Sequence, residues 1–96
     1  MSLPPRFARK PDENQPVIIS ALEKAGALVH DMSLMGSGFP DLFVGYKSCF
    51  YLLEVKVGKR KLNKLQIPFH RKWHGYNIHI VRSPEEALAV LGVTYQ

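Results

Sequence analysis

Charged residues stand at the ends of two apolar stretches of this sequence, where burying charge is unfavourable. Asp41 precedes the apolar residues 42–44, and Glu54 and Lys56 lie at the end of the apolar run that begins at Tyr51. Both runs are expected to form β-strands, in which side chains alternate between two faces. Glu54 and Lys56 therefore share one face of their strand, while the intervening valine points the other way into apolar surroundings.

The register between the two strands follows from the position of the chain reversal. A turn centred on residues 47–48 pairs Tyr46 with Cys49, and counting five residues outward along each strand pairs Asp41 with Glu54. Directly opposed residues in an antiparallel pair have Cβ atoms about 4.5–5.5 Å apart. Two carboxylates that close repel each other unless a cation or a proton lies between them. The pair of carboxylates therefore indicates a hard divalent metal ion. Lys56, the next residue on the same face of the strand, carries a positive charge that suits an anionic substrate.

The same residues stand in the order found in a known nuclease superfamily. Pro40-Asp41 followed by Glu54-x-Lys56 resembles the signature of the PD-(D/E)xK nucleases. The flanking residues narrow the resemblance to the stand-alone VRR-NUC domains of phages and bacteria, and it covers nearly the whole chain, from about Asp12 to Gly92. The residues that carry it are Gly38-x-Pro40-Asp41-Leu42, Leu53-Glu54-Val55-Lys56, Leu62…Gln66…Phe69…Trp73-x-Gly75 and Val81-Arg82-Ser83…Glu86-Ala87-Leu88.

The resemblance implies a role for each residue of the motif. Asp41 and Glu54 would hold Mg²⁺ or Mn²⁺, and the backbone carbonyl of Val55 would be a further ligand. Lys56 would stabilise the attacking water or the charge that develops on the phosphate. Gln66, one turn into the following helix, would orient the scissile phosphate or the lysine.

The family also carries an acidic residue on its first helix, and this sequence offers several residues for that position. Glu13 fits best by its spacing to the apolar stripe of the helix, although Asn14 or Gln15 could occupy the equivalent place. Asp12 is a further acid nearby, whereas Glu23 lies away from the stripe and is expected to be solvated. The sequence therefore leaves open whether the site has a third carboxylate ligand and, with it, a second tightly held metal ion.

Basic residues concentrate directly after the Glu-x-Lys motif, in a chain whose net charge is +5. Basic side chains beside a pair of carboxylates favour a phosphodiester backbone as the partner. His70 and His74 have the spacing of a zinc site, but no third ligand is evident, so a solvent-facing or phosphate-facing role is expected. The residues predicted to bind DNA are Lys59, Arg60, Lys61, Lys64 and His70.

The length and composition predict one small domain at residues 12–96, preceded by a basic extended arm at residues 1–11. No apolar run approaches the roughly 20 residues of a membrane span, and the first residues lack the apolar core of a signal peptide. The single Cys49 allows no internal disulfide, which agrees with a reducing compartment. We therefore expect a cytoplasmic protein of a bacterium or a phage-infected cell.

Local patterns predict the element order. The first helix should begin near Asn14, with Pro16 in its first turn, and should end at Gly26. A short strand at residues 27–31 precedes the charged hairpin. Asn63 should cap a helix over residues 64–74, in which Pro68 would kink or delay the helix.

The remaining elements are a strand over residues 77–82 and a last helix that begins with a capping box, Ser83-Pro84-Glu85-Glu86, and runs to about Leu91. This order matches the restriction-endonuclease-like αβββαβ core of the superfamily, with an additional C-terminal helix. The expected class is α/β (α+β), with a mixed four-stranded sheet flanked by helices and the last strand parallel to the strand of Glu54.

These features together predict a Mg²⁺- or Mn²⁺-dependent DNA endonuclease. No segment has the chemistry to read base edges, so we expect selection of DNA structure, at four-way (Holliday) junctions or other branched or double-stranded DNA. A two-fold homodimer would match a junction, through the apolar C-terminal segment or through Met32, Leu34 and Met35. The alternatives are a catalytically silent nucleic-acid-binding module and a flap or restriction-type nuclease.

Overall fold

The computed structural model describes residues 14–94, and within them three helices lie against one mixed four-stranded sheet. The basic arm predicted at residues 1–11 and Glu13 lie outside the described residues. The sheet order is β1-β2-β3-β4, in which β3 and β4 are parallel and the other pairs antiparallel. The predicted α+β fold is confirmed. The elements are α1 (Gln15–Lys24), β1 (Leu28–Asp31), β2 (Leu42–Tyr46), β3 (Cys49–Val55), α2 (Gln66–Lys72), β4 (Ile78–Val81) and α3 (Pro84–Val90).

The β2–β3 hairpin has the register that the sequence predicts. Lys47 and Ser48 form its two-residue turn, and both have a positive φ, at 48° and 67°, as in the tight turns that match strand twist. Tyr46 pairs with Cys49, and the ladder continues to the pair of Leu42 and Leu53. The next position on each strand belongs to Asp41 and Glu54, so these two residues come together at one end of the hairpin.

One face of the sheet carries the hydrophobic core. Fully buried side chains of β2, β3 and β4 pack against the apolar stripes of α1 and α3. Each fully buried aliphatic side chain contributes about 1.5–3 kcal/mol. Because Leu53 and Val55 face this core, the residue between them must face the opposite side of the sheet. The core thus determines which face receives Glu54. Its members are Ile18, Leu22, Ala27, Leu42, Val44, Leu53, Val55, Val81, Ala87, Leu88 and Leu91.

Helix α1 begins where the sequence predicts but is fixed by different contacts. Asn14 occupies the N-cap position, and Pro16 lies in the first turn. Instead of capping the helix, the Asn14 side-chain amide donates to the carbonyl oxygens of Lys56, at 3.3 Å, and Arg82, at 2.9 Å. These bonds tie the start of α1 to the ends of β3 and β4. Gly26, with φ at 99°, follows the last turn and ends the helix as predicted.

Helix α2 is shorter than predicted, at Gln66–Lys72 instead of residues 64–74. Asn63 does cap the start, because its side-chain oxygen accepts the N–H groups of Leu65 and Gln66 at 3.0 and 2.9 Å. With this start Pro68 is the third helical residue, where its missing N–H has no intrahelical partner to lose. The proline therefore delays the helix and does not kink it.

Helix α3 has the predicted N-terminal cap, since the Ser83 hydroxyl accepts the N–H of Glu86 at 3.1 Å. The C-terminal apolar residues that were expected to be spare for a dimer lie partly in the core. Leu91 is buried, and Val90 and Val93 pack against the core, while Tyr95 lies outside the described residues. Leu34 remains exposed in the loop before β2. Across residues 14–94 no helix has the length and apolarity needed to cross a membrane.

Candidate active site

The charged residues of the motif lie at the end of β3, on the face away from the core. Glu54 is 2% exposed and Lys56 is 9% exposed. Lys56 follows β3 directly, and its N–H donates to the carbonyl of Val81 at 3.0 Å, which continues the β3–β4 pairing by one residue. The Lys56 Nζ atom lies 3.8 Å from Glu54 Oε2. The two side chains therefore form a buried ion pair.

Asp41 reaches the same place from the end of the loop that precedes β2. One of its carboxylate oxygens, Oδ2, accepts the N–H of Val55 at 2.8 Å. This bond replaces a backbone ladder bond at the end of the hairpin and fixes the carboxylate beside β3. Asp41 and Glu54 thus stand at one end of the sheet, as the register requires.

Gln66 joins α2 to this site. Its Nε2 group donates to Glu54 Oε2 at 2.8 Å, and its Oε1 atom accepts the N–H of Asn63 at 2.9 Å. The two bonds fix both the amide of Gln66 and the carboxylate that it contacts. The resemblance placed Gln66 beside the phosphate or Lys56, and the structure adds its direct contact with Glu54.

A close backbone approach brings α2 near the loop that ends at Asp41. Gly38 has φ at 82°, and a Cβ atom at this position would overlap the carbonyl oxygen of Leu65. Pro40, which follows, is buried. The Gly-x-Pro-Asp segment therefore has a geometric reason for its glycine, since a larger residue would push α2 and its glutamine away from Glu54.

His70 lies on the same side of α2 as Gln66, one turn later. Its side chain is 11% exposed, with Nε2 4.0 Å from Glu54 Oε1, a distance too long for a hydrogen bond. Burial lowers the pKa of His70 below its ordinary value, and repulsion from Lys56 lowers it further, so the ring is neutral near pH 7. Of the two roles expected for His70, the solvent-facing one is wrong, because the ring faces Glu54. The phosphate-facing role stays a prediction.

The basic residues after the motif point into solvent from a loop whose backbone is held in place. Arg82 was quoted in the resemblance without a role, and its Nη1 group donates to the carbonyls of Gly58 and Arg60 at 2.9 and 2.7 Å. These bonds present the loop beside the end of β3. The exposed side chains are Lys59, Arg60, Lys61 and Lys64.

The donor chemistry of the site fits a hard cation. Within residues 14–94 no group of three or more His, Cys, Asp or Glu side chains is close enough to hold a metal ion. The carboxylates that the structure describes at the end of β3 are Asp41 and Glu54, and Val55, which follows Glu54, offers a backbone carbonyl. Oxygen donors alone suit Mg²⁺ or Mn²⁺, whose other positions are commonly filled by water and phosphate.

Sequence reasoning named Asn14 and Arg82 but did not predict the contacts by which they position this site. Both act by donating to backbone carbonyls that lie far away in sequence. Every residue offers such a carbonyl, so the partners leave no pattern in the sequence. The resemblance of Val81-Arg82-Ser83 to the family was the one signal that pointed to this arginine.

Comparison with known proteins supports the fold assignment. No family model matches the sequence, and neither does any curated protein. A solved structure of a VRR_NUC domain superimposes with a TM-score of 0.66 and 24% sequence identity, over 88% of this chain and all of that chain. The fold of this chain is therefore that of a VRR_NUC domain, as the resemblance implied.

Proposed function

We propose that this domain is a Mg²⁺- or Mn²⁺-dependent DNA endonuclease that hydrolyses phosphodiester bonds. The observation that carries the proposal is the buried carboxylate of Glu54, which contacts Lys56 and Gln66 and stands opposite Asp41 at the end of the hairpin. A buried carboxylate is costly unless cations and hydrogen-bond donors surround it. This arrangement supplies such groups beside a second carboxylate.

The proposed metal ligands are Asp41, Glu54 and the carbonyl of Val55, with Glu13 as a further carboxylate that lies outside the described residues. When bound, the metal would polarise the phosphate and lower the pKa of an attacking water. Lys56 would stabilise the negative charge that develops on the phosphate, because its stem is held in the protein and its ammonium adjoins Glu54.

Gln66 and His70 would act on the geometry and the charge of this site. The amide of Gln66 fixes the rotation of the Glu54 carboxylate and so directs it towards the proposed metal position. The neutral ring of His70 leaves the negative charge of Glu54 in place. A protonated imidazole there would compete with the cation for the carboxylate.

DNA is the proposed substrate because the exposed basic loop lies next to the carboxylates. Contacts from Lys59, Arg60, Lys61 and Lys64 to backbone phosphates would be independent of base sequence. His70 remains a proposed phosphate contact, from its position beside Glu54. Four-way junctions and other branched DNA remain the proposed substrates, and cleavage is proposed to take place in the cytoplasm.

A homodimer is proposed to present two such sites to the two strands of a junction. The structure offers a surface for it on the sheet face opposite the core. Phe43 and Phe50 contact each other with ring centroids 5.4 Å apart, and the second is 67% exposed. Exposed Leu28 and Ile80 lie on the same face. An apolar patch of this kind is typical of a protein interface, and in a two-fold dimer the same patch of a second copy would pack against it.

Cleavage assays with matched variants test the proposal. Wild-type protein should cut duplex, flap or four-way junction DNA in Mn²⁺ and should be inactive in EDTA. Glu54→Gln should reduce the rate by orders of magnitude while DNA binding is retained, whereas Glu23→Gln, on the exposed side of α1, should cleave at the wild-type rate. Binding without cleavage in any metal would instead identify a catalytically silent nucleic-acid-binding module. Light scattering of Phe50→Asp against wild type tests the dimer.

A further inference from the structure

Four aromatic rings form a continuous row along α2. Phe39 meets Phe69 edge to face with centroids 5.2 Å apart, and Phe69 stacks on Trp73 at 5.5 Å with an angle of 4° between the rings. Trp73 then meets Tyr76 edge-on at 6.1 Å. We refer to Phe39, Phe69, Trp73 and Tyr76 as the aromatic row.

The aromatic row leads from the candidate active site to the surface. Phe39 lies two residues before Asp41, and Phe69 precedes His70, whose ring faces Glu54. These two phenylalanines are half-buried, whereas Trp73 is 39% exposed and Tyr76 is 71% exposed. The inner end of the row therefore adjoins the carboxylates, and the outer end is open to water.

Packing within the domain does not account for the outer end of the row. Helix α2 lies wholly within the described residues, and none of its residues is fully buried. A helix that used its aromatic side for the core would bury that side. Instead α2 is held by the bond from Gln66 to Glu54 and by the close approach of Gly38. Exposing a tryptophan and a tyrosine forgoes the stabilisation that their burial would give.

The charge of the residues around the aromatic row indicates which kind of partner would bind its exposed end. Residues 55–84 contain eight lysines and arginines and no aspartate or glutamate. A second copy of this chain would bring the same positive surface against itself, so self-association here is unfavourable. A polyanion is attracted to it. Aromatic rings flanked by cations are the arrangement that binds single-stranded nucleic acids, because bases stack on the rings while the cations contact the phosphates.

We propose that Trp73 and Tyr76 form a stacking site for an unpaired nucleobase of the DNA strand that enters the active site. The proposal rests on the proposed nuclease function and specifies its substrate class, DNA with unpaired nucleotides near the scissile phosphate. The distance along α2 from Gln66 to Trp73 is compatible with the spacing of stacked nucleotides. Trp73 lies seven residues beyond Gln66, about 10 Å along α2, which corresponds to roughly three nucleotide steps of a stacked strand.

Trp73 is the only tryptophan of the chain, so its fluorescence reports on this site directly. Titrations in EDTA, where no cleavage is expected, would use a short oligothymidine strand, a flap DNA and a blunt duplex. The single strand and the flap should quench Trp73, and the duplex should leave it nearly unchanged. Tyr76→Leu should weaken single-strand binding about five- to a hundred-fold, since stacking contributes ~1–3 kcal/mol per base. Tyr76→Phe should restore binding, and Val17→Ala, an exposed position of α1 outside the row, should match wild type.

Three results would overturn the proposal. They are equal quenching by duplex and single strand, wild-type affinity of Tyr76→Leu, and a change from dimer to monomer on this substitution, which would make the row an interface between copies. The nuclease proposal fails separately, if no DNA is cut in any metal. The binding titrations, carried out in EDTA, do not depend on that result.

Discussion

The bond between Gln66 and Glu54 leads to a prediction with a definite magnitude. Gln66→Leu removes a donor 2.8 Å from a carboxylate that is 2% exposed. A hydrogen bond to a charged group contributes about 1.5–3 kcal/mol. The same substitution removes the exposed bond from the Asn63 N–H, which contributes about 0.5–1.5 kcal/mol at most, because water can replace it. The free energy of unfolding should therefore fall by about 2–4 kcal/mol.

Urea unfolding in EDTA at pH 7, followed by Trp73 fluorescence and by circular dichroism, measures this loss. Lys64→Ala, an exposed substitution just before the same helix, should stay within about 0.5 kcal/mol of wild type. In a Glu54→Gln background the acceptor is neutral, so Gln66→Leu should cost about 1 kcal/mol less. Equal costs in the two backgrounds would refute the view that Gln66 stabilises a buried charge.

Three further predictions follow from other parts of the structure. Arg60→Ala and Lys61→Ala should each flatten the salt dependence of DNA binding by about 0.9 in log–log slope, measured by anisotropy; an unchanged slope would place the DNA elsewhere. Gly38→Ala should lower the melting temperature more than Gly26→Ala, because both have positive φ but only the first would overlap backbone; equal losses would contradict this. Burial lowers the pKa of His79, so stability should fall as pH drops through about 6.5, and His79→Leu should reduce that fall in urea titrations.

The register of the hairpin could be predicted because a two-residue turn allows one pairing of the strands it joins. Once Lys47 and Ser48 were placed at the turn, the positions of Asp41 and Glu54 followed by counting. The strand period then placed Glu54 away from the core. Local rules of this kind depend on neighbours in sequence, and they gave the fold and the end of the sheet where the site lies.

The surroundings of Glu54 could not be predicted in the same way. No residue of α2 is fully buried, and the side chains that face Glu54, Gln66 and His70, are polar. The apolar periodicity of the helix therefore did not show which of its faces meets the sheet. A solvent-facing or phosphate-facing role was expected for His70 because the sequence shows no third zinc ligand. The position of His70 depends on how closely α2 approaches the backbone at Gly38. In the sequence, this contact between two backbone segments is marked only by the glycine.

The buried pair of Glu54 and Lys56 is not the arrangement that would make this small domain most stable. Removing one partner of a buried ion pair leaves an uncompensated charge and typically costs about 3–5 kcal/mol, whereas replacing both by apolar residues of similar volume is often neutral or stabilising. Glu54→Leu should therefore unfold at a clearly lower temperature than wild type. The double variant Glu54→Leu/Lys56→Met should recover most of this loss, and it should stay below the wild-type temperature only by what the lost bond from Gln66 contributes.

Thermal unfolding in EDTA and in Mn²⁺ distinguishes a functional pair from a structural one. Wild-type protein should gain stability from Mn²⁺, because a ligand that binds only the folded state raises the melting temperature. The double variant should show no such gain and should not cleave DNA, although it remains folded in EDTA. A double variant that is much less stable than wild type would mean that the pair holds the fold together. The charge at the end of β3 would then need no catalytic explanation.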